Sequence, residues 1–270
     1  MRRLPAIFWT GSAIIGALIL VSIAAPLIAP YSPTHSEPAA ILEPPSWRHL
    51  AGTDQLGRDL FSRMMWGGRA SLTVAFGVVA LGVGLGAVLG AAVALAGGWV
   101  DFFAMRLVDV LVAMPSMVIA LALSAALGPS LGNLILVLGL LSVPYYTRLF
   151  RGETLSIRER PFVKAARASG AGFPRILITH ILPNIAPVIA TFGSGALGGA
   201  LVIASALSFI GLGAQPPTPE WGVLIYEGRN TLMYEWWCAV LPGLLVALAA
   251  LGFVLAGDGL RDRLDARGDH

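Results

Sequence analysis

The chain has 270 residues, 56% hydrophobic and 12% charged, with a mean hydropathy of +0.78. A soluble domain carries about 25% charged residues, so this composition excludes a soluble globular protein and points to an all-α, polytopic membrane protein. The net charge of +3 and pI near 9.4 do not indicate a nucleic-acid partner, because the basic residues lie between apolar spans and not on one soluble face. A membrane-spanning helix needs about 20 mostly apolar residues, and about six such stretches follow one another. The first covers residues 7–28. It is too long for a typical signal peptide, and Pro26 near its end and Pro30 after it come without a small-residue cleavage site. Residues 1–30 therefore read as an uncleaved first span, with Arg2 and Arg3 holding its start inside.

Residues 31–70 form a polar, proline-rich extracytoplasmic loop, far longer than the usual connection of about 5 residues. Gly52-Thr53-Asp54 and Gly57-Arg58-Asp59 are turn chemistry, and Asp59 suits the N-cap of the helix that follows. His35 and His49 share this loop, where isolated histidines are expected to be solvated rather than metal ligands.

The core is expected at 71–257. Span two covers 72–96, where Gly86 and Gly90 permit a close helix approach. A turn at 97–102 precedes span three at 103–127, with Pro115 near its middle. Arg106 and Asp109 are spaced to pair on one helix face at the membrane boundary. Span four covers 131–150, with a kink expected at Pro144. Span five, 185–210, is rich in glycine, which suits either tight packing or room for cargo.

The outer loop 211–237 is held off the bilayer path by Pro216, Pro217 and Pro219. Its Trp221, Tyr226, Tyr234, Trp236 and Trp237 suit an interfacial belt. Span six covers 239–256, and a charged tail, 258–270, follows. The one cysteine, Cys238, excludes a disulfide framework and reads as a small apolar residue.

Between spans four and five lies a basic, amphipathic stretch, 151–184. Pro161 suits a first helical turn, and Phe162, Ala165, Ala166 and Ser169 then share a face. Gly170 and Gly172 stop that helix, and Phe173-Pro174 opens a second short one before Pro183. From the residues alone this is either a solvated basic loop or a docking knob whose small residues admit a partner. With both ends inside, 13 of the 18 Lys and Arg residues fall in inside segments, obeying the positive-inside tendency and placing 151–184 in the cytoplasm.

The chain has no G-x-x-x-x-G-K-[ST] phosphate loop, no H-E-x-x-H, and no carboxylate in mid-span to relay protons. The spacing of Ala165-Ala166, Gly170 and Leu182-Pro183 resembles the coupling loop of ABC-importer permeases. Lys164 and His180 stand where that family usually has Glu and Ile, as is common in its peptide and nickel branch. WRHLAGTDQLGRDLFSRMMWGGRASL is similar to the loop after the first helix of the C-type permeases for dipeptides, oligopeptides and nickel. LSFIGLG, QPPTPEWG, EGR, WW, PG and GDGLRDRLD extend the likeness over almost the whole chain.

The resemblance implies that Pro161, Phe162, Ala165, Ala166, Arg167, Gly170, Leu182 and Pro183 sit in a groove of a separate ATPase subunit. It implies that Gly52, Thr53, Asp54, Gly57, Arg58 and Asp59 lie near a substrate-binding protein outside. ATP and magnesium would belong to one or two partner ATPases, with no cofactor in this chain, and a second related permease would complete a heterodimer. The setting would be a bacterial or archaeal plasma membrane, with both termini cytoplasmic. Peptide cargo is the expectation. Nickel or a nickel chelate is the alternative within the family, and a self-contained ion-coupled transporter or channel is the alternative outside it.

Overall fold

Long apolar runs can satisfy their backbone groups in a bilayer only as helices or closed barrels, and every regular element among the described residues is helical. The computed structural model describes residues 6–268, and side chains as far as Asp262. Arg2 and Arg3, and the side chains of Arg263 and Arg267, which entered the inside charge count, lie outside the described residues. Five helices are long and apolar enough to cross a membrane, and a bent pair brings the number to six.

Helix α1 (Ala6–Ile28) leads into an irregular loop at residues 29–59, and α2 (Leu60–Ala96) runs for 37 residues. Span two thus begins earlier than its apolar stretch, because Asp59 caps the helix by accepting the Ser62 N–H at 2.7 Å. Helix α3 (Gly98–Ala113) and α4 (Ser116–Leu127) follow, then α5 (Leu131–Arg158) and α6 (Pro161–Ala168). Helix α7 (Phe173–Ile176) passes through a π turn into α8 (Leu182–Phe209), and α9 (Trp221–Gly228) and α10 (Trp237–Gly268) complete the chain.

Several expectations are corrected. The turn at 97–102 is already helix from Gly98, and span three is not one helix. Met114 takes an extended conformation (φ −77°, ψ 142°) before Pro115, as a residue preceding proline prefers, and α3 and α4 meet at 83°. Pro144, where a kink and not a break is expected, lies within an α5 that runs on without interruption. The difference follows from packing. On either side of Pro144, α5 is held by buried Leu134, Val137, Leu138, Phe150 and Ile157. α3 buries only Val108, and α4 only Ala120 and Ser124. The helix starting at Phe173 is not a separate short piece either, because it continues through 37 residues to Phe209. Pro183 has no N–H to donate within the α pattern, and the π turn just ahead of it, with Leu182 N–H bonded to Leu177 O, carries the helix through.

Helix α2 is the spine. A Cβ at Gly86 would overlap Tyr146, and one at Gly90 would overlap the Thr147 carbonyl and lie 2.8 Å from Arg151 N, so both glycines are spent on the α2–α5 contact. In α8, Gly198 faces Ala250 O of α10 with 2.8 Å for a Cβ, whereas Gly199 faces open space. Packing therefore accounts for Gly198 and not for Gly199.

Three clusters make the core: one around Leu60, Met64, Trp221 and Trp237, one around Leu134 and Leu207, and one around Phe150, Val163, Ile181 and Ile185. Trp221 and Trp237 are thus core residues, 1% and 8% exposed, and not part of an interfacial belt. Helix α9 is folded back against α2, α8 and α10, and the Trp221 Nε1–H donates to Met64 O at 2.8 Å. Tyr234 and Trp236 remain exposed.

Candidate functional site

The sequence singled out two groups of residues, and the structure puts them at opposite ends of the bundle. At one end α6 stands out as a knob. Pro161 occupies its first turn, and Gly170 ends it with φ +81°. Gly170 N–H bonds to Arg167 O and Ala171 N–H to Ala166 O, both at 3.0 Å. This is the paired closure that a left-handed residue after a helix allows.

Pro161, Phe162, Ala165, Arg167 and Gly170 are exposed, Ala166 and Leu182 are half-buried, and Pro183 is exposed. The knob is anchored by a residue that the shared face did not reveal. Val163 is 0% exposed and packs with Phe150, Ile157, Ile176 and Ile181. An apolar residue one position off the small-residue face was the available signal.

Charge gathers around this knob. Glu159 lies 3.2 Å from Lys164 and 3.3 Å from Arg158. The hydrogen bond from Lys164 holds the Glu159 carboxyl below its ordinary range. Phe162 and His180 bring their rings to 6.2 Å. Arg160, Lys164, Arg167 and Arg175 are exposed. The result is a basic knob with a small apolar patch.

At the other end, Gly52, Thr53, Asp54, Gly57, Arg58 and Asp59 are all buried. Their polar side chains are spent on one another and on a second loop. Asp54 Oδ1 accepts the N–H groups of Leu56 and Arg58, and Oδ2 accepts Arg58 Nε at 2.7 Å and also Arg63 Nη1. Glu227 completes the cluster. Its Oε1 accepts Arg58 Nη2 at 2.9 Å and its Oε2 accepts Arg63 Nη1 at 2.7 Å. Two carboxylates thus neutralise two guanidiniums, one of them, Arg63, entirely buried. Gly57 (φ +70°) has no room for a side chain, because a Cβ would overlap Glu37 O.

His49, expected to be solvated, is 2% exposed, with Nδ1 2.9 Å from Asp59 Oδ1 and its ring 4.9 Å from that of Tyr31. Glu220 fixes the second loop to α2. It accepts the Ser71 hydroxyl at 2.7 Å and caps α9 through Val223 N–H. Arg63, Glu227 and Glu220 were missed by sequence reasoning.

Asp109, expected to pair with Arg106, approaches Arg148 of α5 more closely, with Arg106 at 3.8 Å. Asp101 makes a second link from α3 to Arg151. Among the described residues no group of three or more His, Cys, Asp or Glu is placed to hold a metal ion.

Residues 82–269 match the family model described as binding-protein-dependent transport system inner membrane component. Residues 6–45 match the N-terminal TM domain of oligopeptide transport permease C. The chain is 41% identical over 258 residues to the probable D,D-dipeptide transport system permease protein of Escherichia coli K12, covering 96% of this chain and 87% of that one. It is 42% identical over 260 residues to the dipeptide transport system permease protein of Alkalihalophilus pseudofirmus, covering 95% and 84%. It is 40% identical over 259 residues to the glutathione transport system permease protein of an Escherichia coli O1:K1 strain, covering 96% and 86%.

Proposed function

Because the chain belongs to the binding-protein-dependent transport system inner membrane components, we propose that it is the transmembrane permease subunit of an ATP-driven importer of di- and oligopeptides. The observation that carries the reading is similarity over nearly its full length to permeases named for dipeptides and glutathione. The α6 knob supports it. A short helix with small exposed residues, a fixed end at Gly170 and a buried anchor at Val163 is a rigid body that a partner can push.

In this reading the knob faces the cytoplasm and docks on one or two ATPase subunits, which hold ATP and magnesium. A second related permease completes the pathway, and a binding protein delivers cargo to the opposite, outer end. The membrane is a bacterial or archaeal plasma membrane, with both termini in the cytoplasm. A ligand biases a two-state equilibrium only by its different affinity for the two states. The ATPases' open and closed forms must therefore grip the knob differently. Val163 links the knob to the α5 and α8 residues in its cluster, so displacement of the knob moves the spans.

The test is uptake by the purified assembly in liposomes. A labelled dipeptide should enter only when ATP is on the knob side and binding protein is on the other. Uptake without ATP would refute the reading, and uptake of nickel in place of peptide would redirect the cargo assignment.

A further inference from the structure

A helix that breaks at membrane depth must set its freed backbone groups against protein or a water-lined cavity, and broken helices mark cargo sites in other transporter classes. An open cavity of about 350 Å³ lies beside the bend between α3 and α4. Met114 and Met117 line it from the bend, Leu141, Tyr145 and Tyr146 from α5, and Ile203 from α8. Its size is at the lower end of small-ligand pockets, which span about 300–1,000 Å³.

No charged residue lines the cavity itself, but about one helical turn beyond its edge α3 and α5 carry charge. Asp109 lies two residues before the lining residue Leu111, and Arg148 three residues after Tyr145. The two are ion-paired, and they are 49% and 47% exposed. Arg106, 69% exposed, stands on the other side of Asp109.

We infer that this bend is a cargo subsite, in which the cavity takes an apolar or aromatic side chain of a peptide and the Arg106–Asp109–Arg148 rim pairs with its charged termini. The inference rests on the peptide-import reading. A zwitterionic peptide offers an ammonium to Asp109 and a carboxylate to the arginines. A zwitterionic lipid headgroup offers the same charges, and its occupancy would leave the Ala-Phe to Ala-Ala uptake ratio unchanged by a cavity-filling substitution. The Asp109–Arg148 pair is half exposed, so peptide termini can reach its members and exchange with them. Tyr145, Tyr146, Ser116 and Ser142 add polar groups to a mostly apolar wall, which suits a site that cargo must also leave.

The test uses the complete assembly in liposomes, with binding protein saturated by either Ala-Phe or Ala-Ala. Met117→Trp fills the cavity and should lower the ratio of Ala-Phe to Ala-Ala uptake about tenfold, the scale of one misfitting group in an apolar pocket. Met117→Ala should leave that ratio at or above the parent value. If the tryptophan variant does not assemble, Ile203→Phe fills the same space from the facing wall. An unchanged ratio, or an equal fall for both peptides, overturns the subsite while the peptide reading stands. If the unaltered assembly moves neither peptide, the peptide reading itself falls and takes the subsite with it.

Discussion

Asp54→Asn is the most informative single change at the end of the bundle opposite α6. It keeps the shape of the side chain and removes one of the two carboxylates that neutralise Arg58 and Arg63. Both guanidiniums are buried, at 5% and 0% exposure, and Glu227 alone then faces two positive charges. Removing one member of a buried pair costs about 3–5 kcal/mol. An asparagine oxygen still accepts one hydrogen bond, so we take about 3 kcal/mol, felt as local opening of this loop rather than global unfolding.

Cys238 is a native reporter of that opening. It is 2% exposed, and its thiol donates to Thr53 O at 3.4 Å, directly beneath the loop. Each 1.4 kcal/mol is tenfold in an equilibrium, so maleimide labelling of Cys238 should accelerate about 100-fold in membranes carrying Asp54→Asn. Adding Arg63→Met restores charge balance and should slow labelling again. A single-variant rate equal to the parent's would refute the claim that this ion cluster holds the loop shut.

Other outcomes follow from the same geometry. In a Cys238→Ala background, Trp47→Cys, at a site 98% exposed, should react with an impermeant reagent from outside, and Arg175→Cys only after permeabilisation; the reverse pattern overturns the orientation. At Gly170, φ +81° costs a side chain about 1–2 kcal/mol. Nothing crowds its Cβ, so Gly170→Trp should leave the chain in the membrane but disconnect ATP hydrolysis from uptake. Normal uptake and normal ATPase recruitment would sink the coupling role. Gly90→Val drives a branched side chain into α5 and should lower the thermal midpoint of the detergent-solubilised assembly, at a cost of about 1–3 kcal/mol. Gly84→Val meets open space and should match the parent; equal midpoints for the two variants would contradict the α2–α5 contact.

Apolar length made the spans legible, and local chemistry made the caps legible. Asp59, Pro161 and Gly170 each act within four residues of themselves. The ends of the spans were less legible, because helices outlast their apolar stretches wherever packing holds them. That is why α8 is joined to Phe173, whereas the start of α2 at Leu60 was legible from the Asp59 cap. Pro115 breaks a span while Pro144 does not, although both look alike in sequence. The outcome depends on what packs alongside. Arg63 and Glu227 are 164 positions apart, and only the fold of α9 against α2 joins them. The knob's exposed face was readable from its periodicity, but its anchor, Val163, needed the position of α8 to be known.

The most direct test of the account is a mild-detergent pull-down of this chain from native membranes, with the co-purifying subunits identified by mass spectrometry. The account predicts a second, related permease together with one or two ATPases bearing phosphate loops. Recovery of the chain alone, in a form that transports in liposomes without ATP, would contradict it.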